Sequence, residues 1–346
     1  MAYLTLIVPS AIAFVFVLIG AWFLSSYMRE SGIVARDHNK PNKPTLPSSV
    51  GLAVSVAFTI GVLTYAFGGT ANIYTPVAPL DDLFAVVLSV ILISLVGLLD
   101  DLNVKSTMVK STDMMDVRKG LKQWHKPIMT LLGAVPLMAI LNSSGIDTVK
   151  LPFIGFVNFG LVYPLVLIPL AVVFAANSFN LLGGFDGIAT GTGLFASLGL
   201  LAYALIFGSY IGALLASILA ATLFGFLFFN VYPARVIPGD SFTYGVGTAL
   251  LMIMVLGNME AFGILVFMPW IVEFFLHARR KFRVTDLGRP RSNGTMEPPY
   301  GKRIYSWTHL IMNIKRCREW EVSLYMWLIE IAFIALGFAL KLSGVF

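Results

Sequence analysis

Residues 160–187 read GLVYPLVLIPLAVVFAANSFNLLGGFDG, and this stretch contains both signals that decide the fold. Residues 160–176 carry no charge, and such a run is long enough for a helix to cross the roughly 30 Å hydrocarbon core of a bilayer. The rest contains asparagine, aspartate and three glycines, which are out of place on a helix that faces lipid. The stretch therefore predicts a transmembrane helix that ends in a polar turn with a function of its own.

The composition of the whole chain is that of a polytopic membrane protein. Of 346 residues, 58% are hydrophobic and 12% are charged, and the mean hydropathy is +0.84. Soluble domains carry about 25% charged residues, because their surfaces face water. The first apolar run has no basic residue before Arg29, so we expect a retained helix and not a cleaved signal peptide. The single cysteine, Cys317, excludes an internal disulfide and any multi-cysteine metal site.

Apolar runs of spanning length recur along the chain and predict an all-α membrane protein with one domain, residues 1–346. Between the fourth and fifth runs, residues 146–160 hold β-branched and aromatic side chains around Pro152 and Gly155, which predicts a short β-hairpin. We expect ten transmembrane helices, at about 3–25, 49–68, 82–99, 127–142, 160–177, 188–207, 209–229, 243–257, 261–277 and 322–343.

The basic residues indicate the orientation of these helices. Of the 24 lysines and arginines, 22 lie in odd-numbered loops, and only Lys150 and Lys341 lie on the other side. Because basic residues are retained in the cytoplasm, we expect the odd loops to be cytoplasmic and both termini to lie outside. Topology thus explains the net charge of +6 without a nucleic-acid partner, and some basic residues remain for the headgroups of membrane lipids. The cytoplasmic loops are expected at about 26–48, 100–126, 178–187, 230–242 and 278–321.

The unusual polar motifs all lie at the cytoplasmic ends of predicted helices, where ionisable groups are costly and are candidates for function. Carboxylate and amide oxygens suit a hard cation such as Mg²⁺, which also takes water and phosphate as ligands. A glycine-rich turn before a helix offers backbone N–H groups to an anion or nucleotide, and arginine binds phosphate. The candidates are Asp100 and Asp101 in GLLDDLN, Lys126 in LKQWHK, Asn177, Asn180, Gly184 and Asp186 in ANSFNLLGGFDG, Asp240 in PGDSF, and Arg279, Arg280 and Lys281 in HARRKFR.

Each motif also has a structural interpretation. Asp100 and Asp101 can form a solvated helix end, and because they oppose the helix dipole we expect a cation near them. Asp240 can cap the following helix, and the asparagines can hydrogen-bond between helices. The glycines can form only a tight turn, and HARRKFR can be a positive anchor at the membrane surface. Taken together, the motifs favour a phosphate-handling magnesium site at the cytoplasmic membrane surface.

The motifs GLLDDLN, ANSFNLLGGFDG and NVYPARVIPGDSFTYGVGT, in this order, resemble those of the polyprenyl-phosphate N-acetylhexosamine-1-phosphate transferases. The resemblance extends from NKPTLPSSVG to about Arg283. VYPARVIPGDSF and LKQWHK look most similar to the eukaryotic-type dolichyl-phosphate N-acetylglucosamine-phosphotransferases. HARRKFR stands where bacterial muramoyl-pentapeptide translocases have a histidine-rich motif, and the large eukaryotic insertion in this loop is missing. We therefore expect an archaeal-type homologue, with its own insertion at about 105–120.

The resemblance implies transfer of N-acetylglucosamine 1-phosphate from UDP-N-acetylglucosamine to a polyprenyl (dolichyl) phosphate, with release of UMP. This is the first step of lipid-linked oligosaccharide synthesis for protein N-glycosylation. The resemblance implies that Asn180 and Asp240 bind Mg²⁺, with Mn²⁺ as an alternative. Lys126 would contact phosphate, Asp100 would be its partner or the general base, and Asp101 would support them.

The remaining candidates are implied to bind the substrate. The resemblance places Asp186 and Gly184 at the uracil, and Arg279 and Lys281 at the phosphates and the sugar. A strong base is not required, because a carrier phosphate with a second pKa near 6 is largely a dianion at pH 7. Asn177 is assigned to substrate binding with them, as is Arg280, which departs from the residue type of the family.

Alternatives stay open at this point. The same chemistry can act on another UDP-acetamido sugar or on undecaprenyl phosphate. A transporter of nucleotide sugars or lipid-linked sugars is disfavoured, because its polar groups should lie near the bilayer midplane. The middles of the predicted helices in this chain carry almost no charge, and Glu273 is the chief exception. A homodimer is compatible with the sequence, and the expected location is the cell membrane, or the endoplasmic reticulum membrane in a eukaryote.

Overall fold

The computed structural model describes residues 4–71, 73–102, 110–111, 116–117, 125–151 and 153–346. Over these ranges the protein is mostly helical, and seven helices are long and apolar enough to cross a membrane, or eight if one bent pair is a single span. It is therefore an integral membrane protein, as its composition predicts. The seven are α1 (Leu4–Glu30), α2 (Leu52–Thr70), α3 (Leu80–Asp101), the run His125–Ser143, α7 (Ile188–Phe207), α8 (Tyr210–Asn230) and α13 (Glu319–Leu342).

The other apolar elements are shorter. The run His125–Ser143 is divided by a 3₁₀ turn, and the stretch Tyr163–Phe179 begins as a π-helical turn. The shorter elements are α4 (His125–Thr130), the 3₁₀ turn (Leu131–Ala134), α5 (Val135–Ser143), the π turn (Tyr163–Leu167), α6 (Ile168–Phe179) and α9 (Asp240–Leu256). The count of ten spans, the sidedness and the positions of the termini stay predictions.

The helix predicted at 261–277 is two helices in the structure. Helices α10 (Glu260–Val266) and α11 (Met268–Ala278) meet at an angle of 56°. Pro269 lies in the first turn of α11, and it has no amide hydrogen with which to continue the hydrogen bonding of α10. An apolar run is therefore not by itself evidence of a straight span.

In the part of the chain that the structure describes, four pairs of short antiparallel strands lie outside the helices. The predicted hairpin between α5 and α6 is confirmed, and its second strand begins at Gly155, whose φ of +90° is a conformation that favours glycine. Apart from the strand residues, the predicted insertion at 105–120 lies outside the described residues. The pairs are β1 (Val34–Arg36) with β2 (Thr45–Pro47), β3 (Lys110–Ser111) with β4 (Asp116–Val117), β5 (Thr148–Leu151) with β6 (Gly155–Asn158), and β7 (Arg289–Pro290) with β8 (Met296–Glu297). The short helix α12 (Trp307–Ile314) follows β8.

Helix α9 lies between α3 and α6 and brings their polar ends together. Gly97 of α3 packs against the backbone of Asp240, and a Cβ atom there would overlap the Asp240 carbonyl oxygen. Gly247 of α9 packs in the same way against the carbonyl of Ala175 in α6. Small residues let helix backbones approach closely inside a membrane. These two contacts place the carboxyl ends of α3 and α6 beside the start of α9.

Replacing Gly97 with valine is expected to destabilise the protein by about 1–3 kcal/mol, because the new side chain meets backbone atoms that cannot rotate away. The melting temperature in detergent should fall by several degrees. Leu99→Ala, at an exposed position of the same helix, is the control and should melt close to the wild type. A Gly97→Val protein as stable as that control would contradict the close approach of α3 and α9.

Candidate active site

Lys126 lies between two carboxylates where α3, α4 and α9 meet. Its Nζ atom is in close contact with Asp100 Oδ2 and lies 3.3 Å from Asp240 Oδ2. Asp100 is only 5% exposed, so the interpretation of a solvated helix end is wrong. Lys126 is the cation expected to offset that end. The Lys126 ammonium is thus shared between the two carboxylates.

Asp101 caps helix α9. Its Oδ1 accepts a 2.9 Å hydrogen bond from the amide of Asp240, and its Oδ2 accepts a 3.2 Å bond from the amide of Ser241. Such amides at a helix start have no partner within the helix. The capping function that the sequence suggested for Asp240 is therefore carried out by Asp101 from another helix. The Asp240 carboxylate is left for Lys126 and for the cavity described below.

The two asparagines of the ANSFN segment differ in their surroundings. Asn177 donates to Thr130 Oγ1 at 3.2 Å and to the Val173 carbonyl at 2.8 Å, as the interpretation of hydrogen bonding between helices predicts. Asn180 follows α6, and its Oδ1 accepts a 2.7 Å bond from Thr243 Oγ1 of α9. Thr243 therefore fixes the side chain of Asn180 one helical turn from Asp240.

The glycine-rich turn is not open to an external anion. The amides of Gly183 and Gly184 donate at 3.1 and 2.7 Å to Oδ2 of Asp286, in the loop between α11 and β7. Burial raises the pKa of Asp286, and the Gly184 amide and His277 oppose this rise. The expectation that these N–H groups are unpaired is therefore wrong, because a carboxylate of the chain itself accepts from them.

Asp186 belongs to a buried cluster around Lys40. The Lys40 ammonium lies 2.7 Å from Asp186, 2.6 Å from Glu319 and 2.8 Å from Asp37. Asp186 also accepts a 2.9 Å bond from the amide of Ala234. Burial acts to lower the pKa of Lys40, but Glu319 and Asp186 hold it above its ordinary value. Burial raises the pKa of Asp186 against the opposing effect of Lys40.

Two sets of residues offer oxygen atoms to a metal ion. The three carboxylates around Lys40 could hold one, because an oxygen of each lies within 4.8 Å of the others. In the structure the Lys40 ammonium bonds to all three, so a metal ion there would have to replace it. Asn180 and Asp240 offer an amide and a carboxylate oxygen to one cavity, and Lys126 Nζ lies 3.3 Å from Asp240 Oδ2. That donor set fits a hard cation that completes its shell with water and phosphate.

Replacing Lys40 with methionine is expected to destabilise the protein by about 3–5 kcal/mol, because Asp37, Asp186 and Glu319 lose their shared cation. The folded state then binds protons more tightly than the unfolded state, since the pKa of Asp186 is already raised. By linkage, the free energy of unfolding of the variant must then increase as the pH falls towards about 4, the ordinary pKa of an aspartate side chain. Melting temperatures at pH 8 and pH 5.5 should show a larger deficit at pH 8.

The exposed Lys302→Met variant is the control for this experiment. A Lys40→Met protein that melts with this control at both values of pH would show that the cluster is not stabilised by its ammonium.

The three basic candidates lie at the end of α11. Arg279 donates to the carbonyl of Ile304, and the guanidinium groups of Arg279 and Arg280 each lie 5.7 Å from the ring centre of Tyr305. Lys281 is exposed and has φ +53°. None of the three lines either cavity described next. Their contact with phosphate and sugar stays a prediction.

Two cavities of opposite character meet at Asn180. A polar cavity of about 410 Å³ is lined by residues that include Asn180, Asp186, Asp240 and Asp286. An apolar cavity of about 750 Å³ runs along α6 and is lined by Lys126, Asn177, Asn180, Phe174 and other apolar side chains. Both volumes lie within the roughly 300–1,000 Å³ of small-molecule sites. A charged ligand and an apolar ligand can thus meet beside Lys126 and Asp240.

Sequence reasoning missed several residues of this site. Lys40 was counted only as a topological charge, although it follows Asp37 within DHNK. Glu319 lies at the start of α13, where acidic residues are common because they interact favourably with the helix dipole. Asp286 follows a basic run in a loop without a motif. No local pattern distinguishes Glu319 or Asp286, because their partners lie more than 100 residues away.

Comparisons with known proteins show which family the chain resembles. Residues 83–258 match the model of glycosyl transferase family 4. A Sulfolobus acidocaldarius protein, provisionally named UDP-N-acetylglucosamine–dolichyl-phosphate N-acetylglucosaminephosphotransferase, is 29% identical over 94% of this chain and 93% of its own. The Schizosaccharomyces pombe protein of that name is 26% identical over 75% of this chain and 64% of its own. A phospho-N-acetylmuramoyl-pentapeptide-transferase from Shouchella clausii is 27% identical over 90% of this chain and 86% of its own.

Proposed function

The chain belongs to glycosyl transferase family 4, and from this premise we propose that it transfers N-acetylglucosamine 1-phosphate from UDP-N-acetylglucosamine to a dolichyl-type polyprenyl phosphate. The names of the Sulfolobus and Schizosaccharomyces relatives support these two substrates. The observation that carries the proposal is the meeting of a polar and an apolar cavity at Asn180, beside Lys126 and Asp240.

The apolar cavity suits the polyprenyl carrier. Its walls are mainly side chains of α6 and α11, such as Leu170, Phe174 and Phe274, and Lys126 lies at its polar end. A polyprenyl chain buries apolar surface there, while its phosphate meets the Lys126 ammonium. Lysine binds phosphate as a point charge, and this lysine is already held in place by Asp100. The carrier therefore arrives with its nucleophilic oxygen close to Asn180 and Asp240.

The polar cavity suits the UDP-sugar. Asn180 and Asp240 would hold Mg²⁺, or Mn²⁺, which when bound neutralises the charge of the diphosphate. An oxygen of the carrier phosphate forms a bond to the phosphorus next to the sugar. The bond from that phosphorus to the bridging oxygen breaks, and UMP leaves with the electron pair. Attacking and leaving oxygens are roughly in line, so carrier and UMP lie on opposite sides of the phosphorus.

Two acidic residues have supporting roles in this proposal. Asp100 holds Lys126 in place through its contact with the ammonium. Asp101 fixes the first turn of α9 and with it the position of Asp240. A strong base is unnecessary, because the carrier phosphate is largely a dianion at pH 7. The chemistry then rests on positioning and on compensation of charge, as in other phosphoryl transfers.

The test is UMP release by the purified protein with Mg²⁺, dolichyl phosphate and UDP-N-acetylglucosamine. UMP should form only when both substrates are present, and EDTA should abolish its formation. UDP-N-acetylgalactosamine and undecaprenyl phosphate test the same chemistry on other substrates. These tests are needed because the name of the Shouchella relative gives a different sugar substrate. An intact protein that releases no UMP with any of these pairs would favour a transporter. Fractionation would test the proposed location in the cell membrane, and light scattering would test a homodimer.

A further inference from the structure

The segment Thr285–Gly288 forms a fixed wall of the polar cavity. Its Asp286 bonds to the amides of Gly183 and Gly184, and Thr308 donates a 2.6 Å bond to the Asp286 carbonyl. Asn39, which is 3% exposed, accepts from the Gly288 amide at 3.1 Å and donates to the Gly184 carbonyl at 2.6 Å. The segment is thus held on both sides and presents Asp286 at a defined place.

The Asp286 carboxylate bonds to the glycine turn through one of its two oxygens. Oδ2 accepts both glycine amides, and apart from the amide of Asp286 itself no other described residue donates a hydrogen bond to this carboxylate. Asp286 lines the polar cavity together with Arg36 and His38, and with Asp186 and Asp37, which both bond to the Lys40 ammonium. A phosphate is disfavoured directly beside the Asp286 carboxylate, because the two negative charges repel each other. A neutral group with a hydrogen-bond donor is favoured, because an acceptor that stays unpaired on binding loses affinity.

The geometry of in-line displacement at phosphorus indicates which neutral group of the donor lies near Asp286. With the carrier entering along the apolar cavity, the leaving UMP occupies the opposite side of the phosphorus, which is the polar cavity. The nucleoside therefore extends beyond Asn180 and Asp240 towards Asp286. The apolar side chains of Phe185, Ile237 and Leu287 also line this cavity, and they suit the faces of a planar base.

We infer that Asp286 reads the nucleobase of the donor, with Oδ1 accepting a hydrogen bond from the N3–H group of uracil. The inference rests on the proposed function, since it takes the donor to be a uridine diphosphate sugar. Cytosine has an acceptor at N3 where uracil has a donor, so a fixed carboxylate oxygen favours uracil and repels cytosine. A site built to pair with a donor discriminates strongly against an analogue without it. Asp286 is thereby a specificity-determining residue.

Asp286→Asn tests the inference sharply. The amide oxygen should stay on the Gly183 and Gly184 amides, since an NH₂ group there would face two donors. The NH₂ group then points to the cavity and matches the N3 acceptor of cytosine. We would measure binding of UMP, CMP and dUMP by calorimetry to the full-length protein in detergent at pH 8 with Mg²⁺. Glu297→Gln, which removes an exposed carboxylate of the same loop, is the matched control.

The wild type and Glu297→Gln should bind UMP at least about tenfold more tightly than CMP, and Asp286→Asn should abolish or reverse that ratio. An unchanged ratio in Asp286→Asn overturns the inference, and UMP binding by the wild type then leaves the proposed function standing. A change confined to the ratio of UMP to dUMP also overturns it and assigns Asp286 to the ribose. A wild type that does not bind UMP overturns the proposed function as well.

A second measurement needs no substitution. The analogue 3-methyl-UMP lacks the N3–H donor, and the wild type should bind it at least about tenfold more weakly than UMP. Equal binding of the two nucleotides overturns the inference, whether or not the Asp286→Asn protein folds.

Discussion

Asp240→Asn is expected to lower the rate of UMP release by about 10³-fold, because it removes the charged oxygen from the proposed pair of metal ligands, Asn180 and Asp240. A bound cation contributes several kcal/mol to charge stabilisation, and each 1.4 kcal/mol or so is tenfold in rate. The fold should survive. Asp101 bonds to the backbone amides of residues 240 and 241 and not to the Asp240 side chain, so the start of α9 keeps its cap.

The measurement combines UMP release, the melting temperature in detergent and a titration of bound Mn²⁺. Asp81→Asn, at the exposed opposite end of α3, is the control and should keep wild-type activity. Asn180→Ala should also lose turnover and metal binding, with a cost of about 1 kcal/mol in stability for the lost bond from Thr243. Near-wild-type rates in Asp240→Asn and Asn180→Ala would remove this metal site.

The sequence predicted the membrane class and the main helices well, because long apolar runs have few alternatives to a spanning helix. The hairpin at 148–158 was also predictable from its residues. The bend between α10 and α11 was not, since Pro269 sits within an unbroken apolar run. The approach of α3 to α9 depends on Gly97, and nothing in the local sequence says which helix it faces.

The candidate site was predictable where its residues stand out in an apolar setting. Asp100, Lys126 and Asp240 come together in the structure, as conspicuous charges at helix ends suggest. The partners that hold the site were not predictable. Lys40 joins Asp186 to Glu319, and Asp286 fills the glycine turn, through contacts between distant parts of the chain. A single sequence gives the chemistry of such side chains but not their neighbours.

Lys126→Ala is expected to raise the KM for polyprenyl phosphate by about 10- to 100-fold, the range for loss of one charged hydrogen bond. It removes the proposed cation for the carrier phosphate and takes the ammonium away from Asp100 and Asp240, which then repel an incoming anion more strongly. The KM for UDP-N-acetylglucosamine should change less. Steady-state rates with each substrate varied in turn, in detergent micelles of constant composition, separate the two.

A double-mutant cycle distinguishes this electrostatic explanation from simple loss of a side chain. If repulsion by the Asp100 carboxylate raises the KM once the ammonium is gone, Lys126→Ala combined with Asp100→Asn should bind the carrier better than Lys126→Ala alone. Asp100→Asn alone should affect the KM less than Lys126→Ala, because the ammonium still lies near Asp240. If Lys126→Ala left the KM for the carrier unchanged while turnover fell, Lys126 would act on the diphosphate instead. If neither parameter changed, the carrier phosphate would have to bind elsewhere along the apolar cavity.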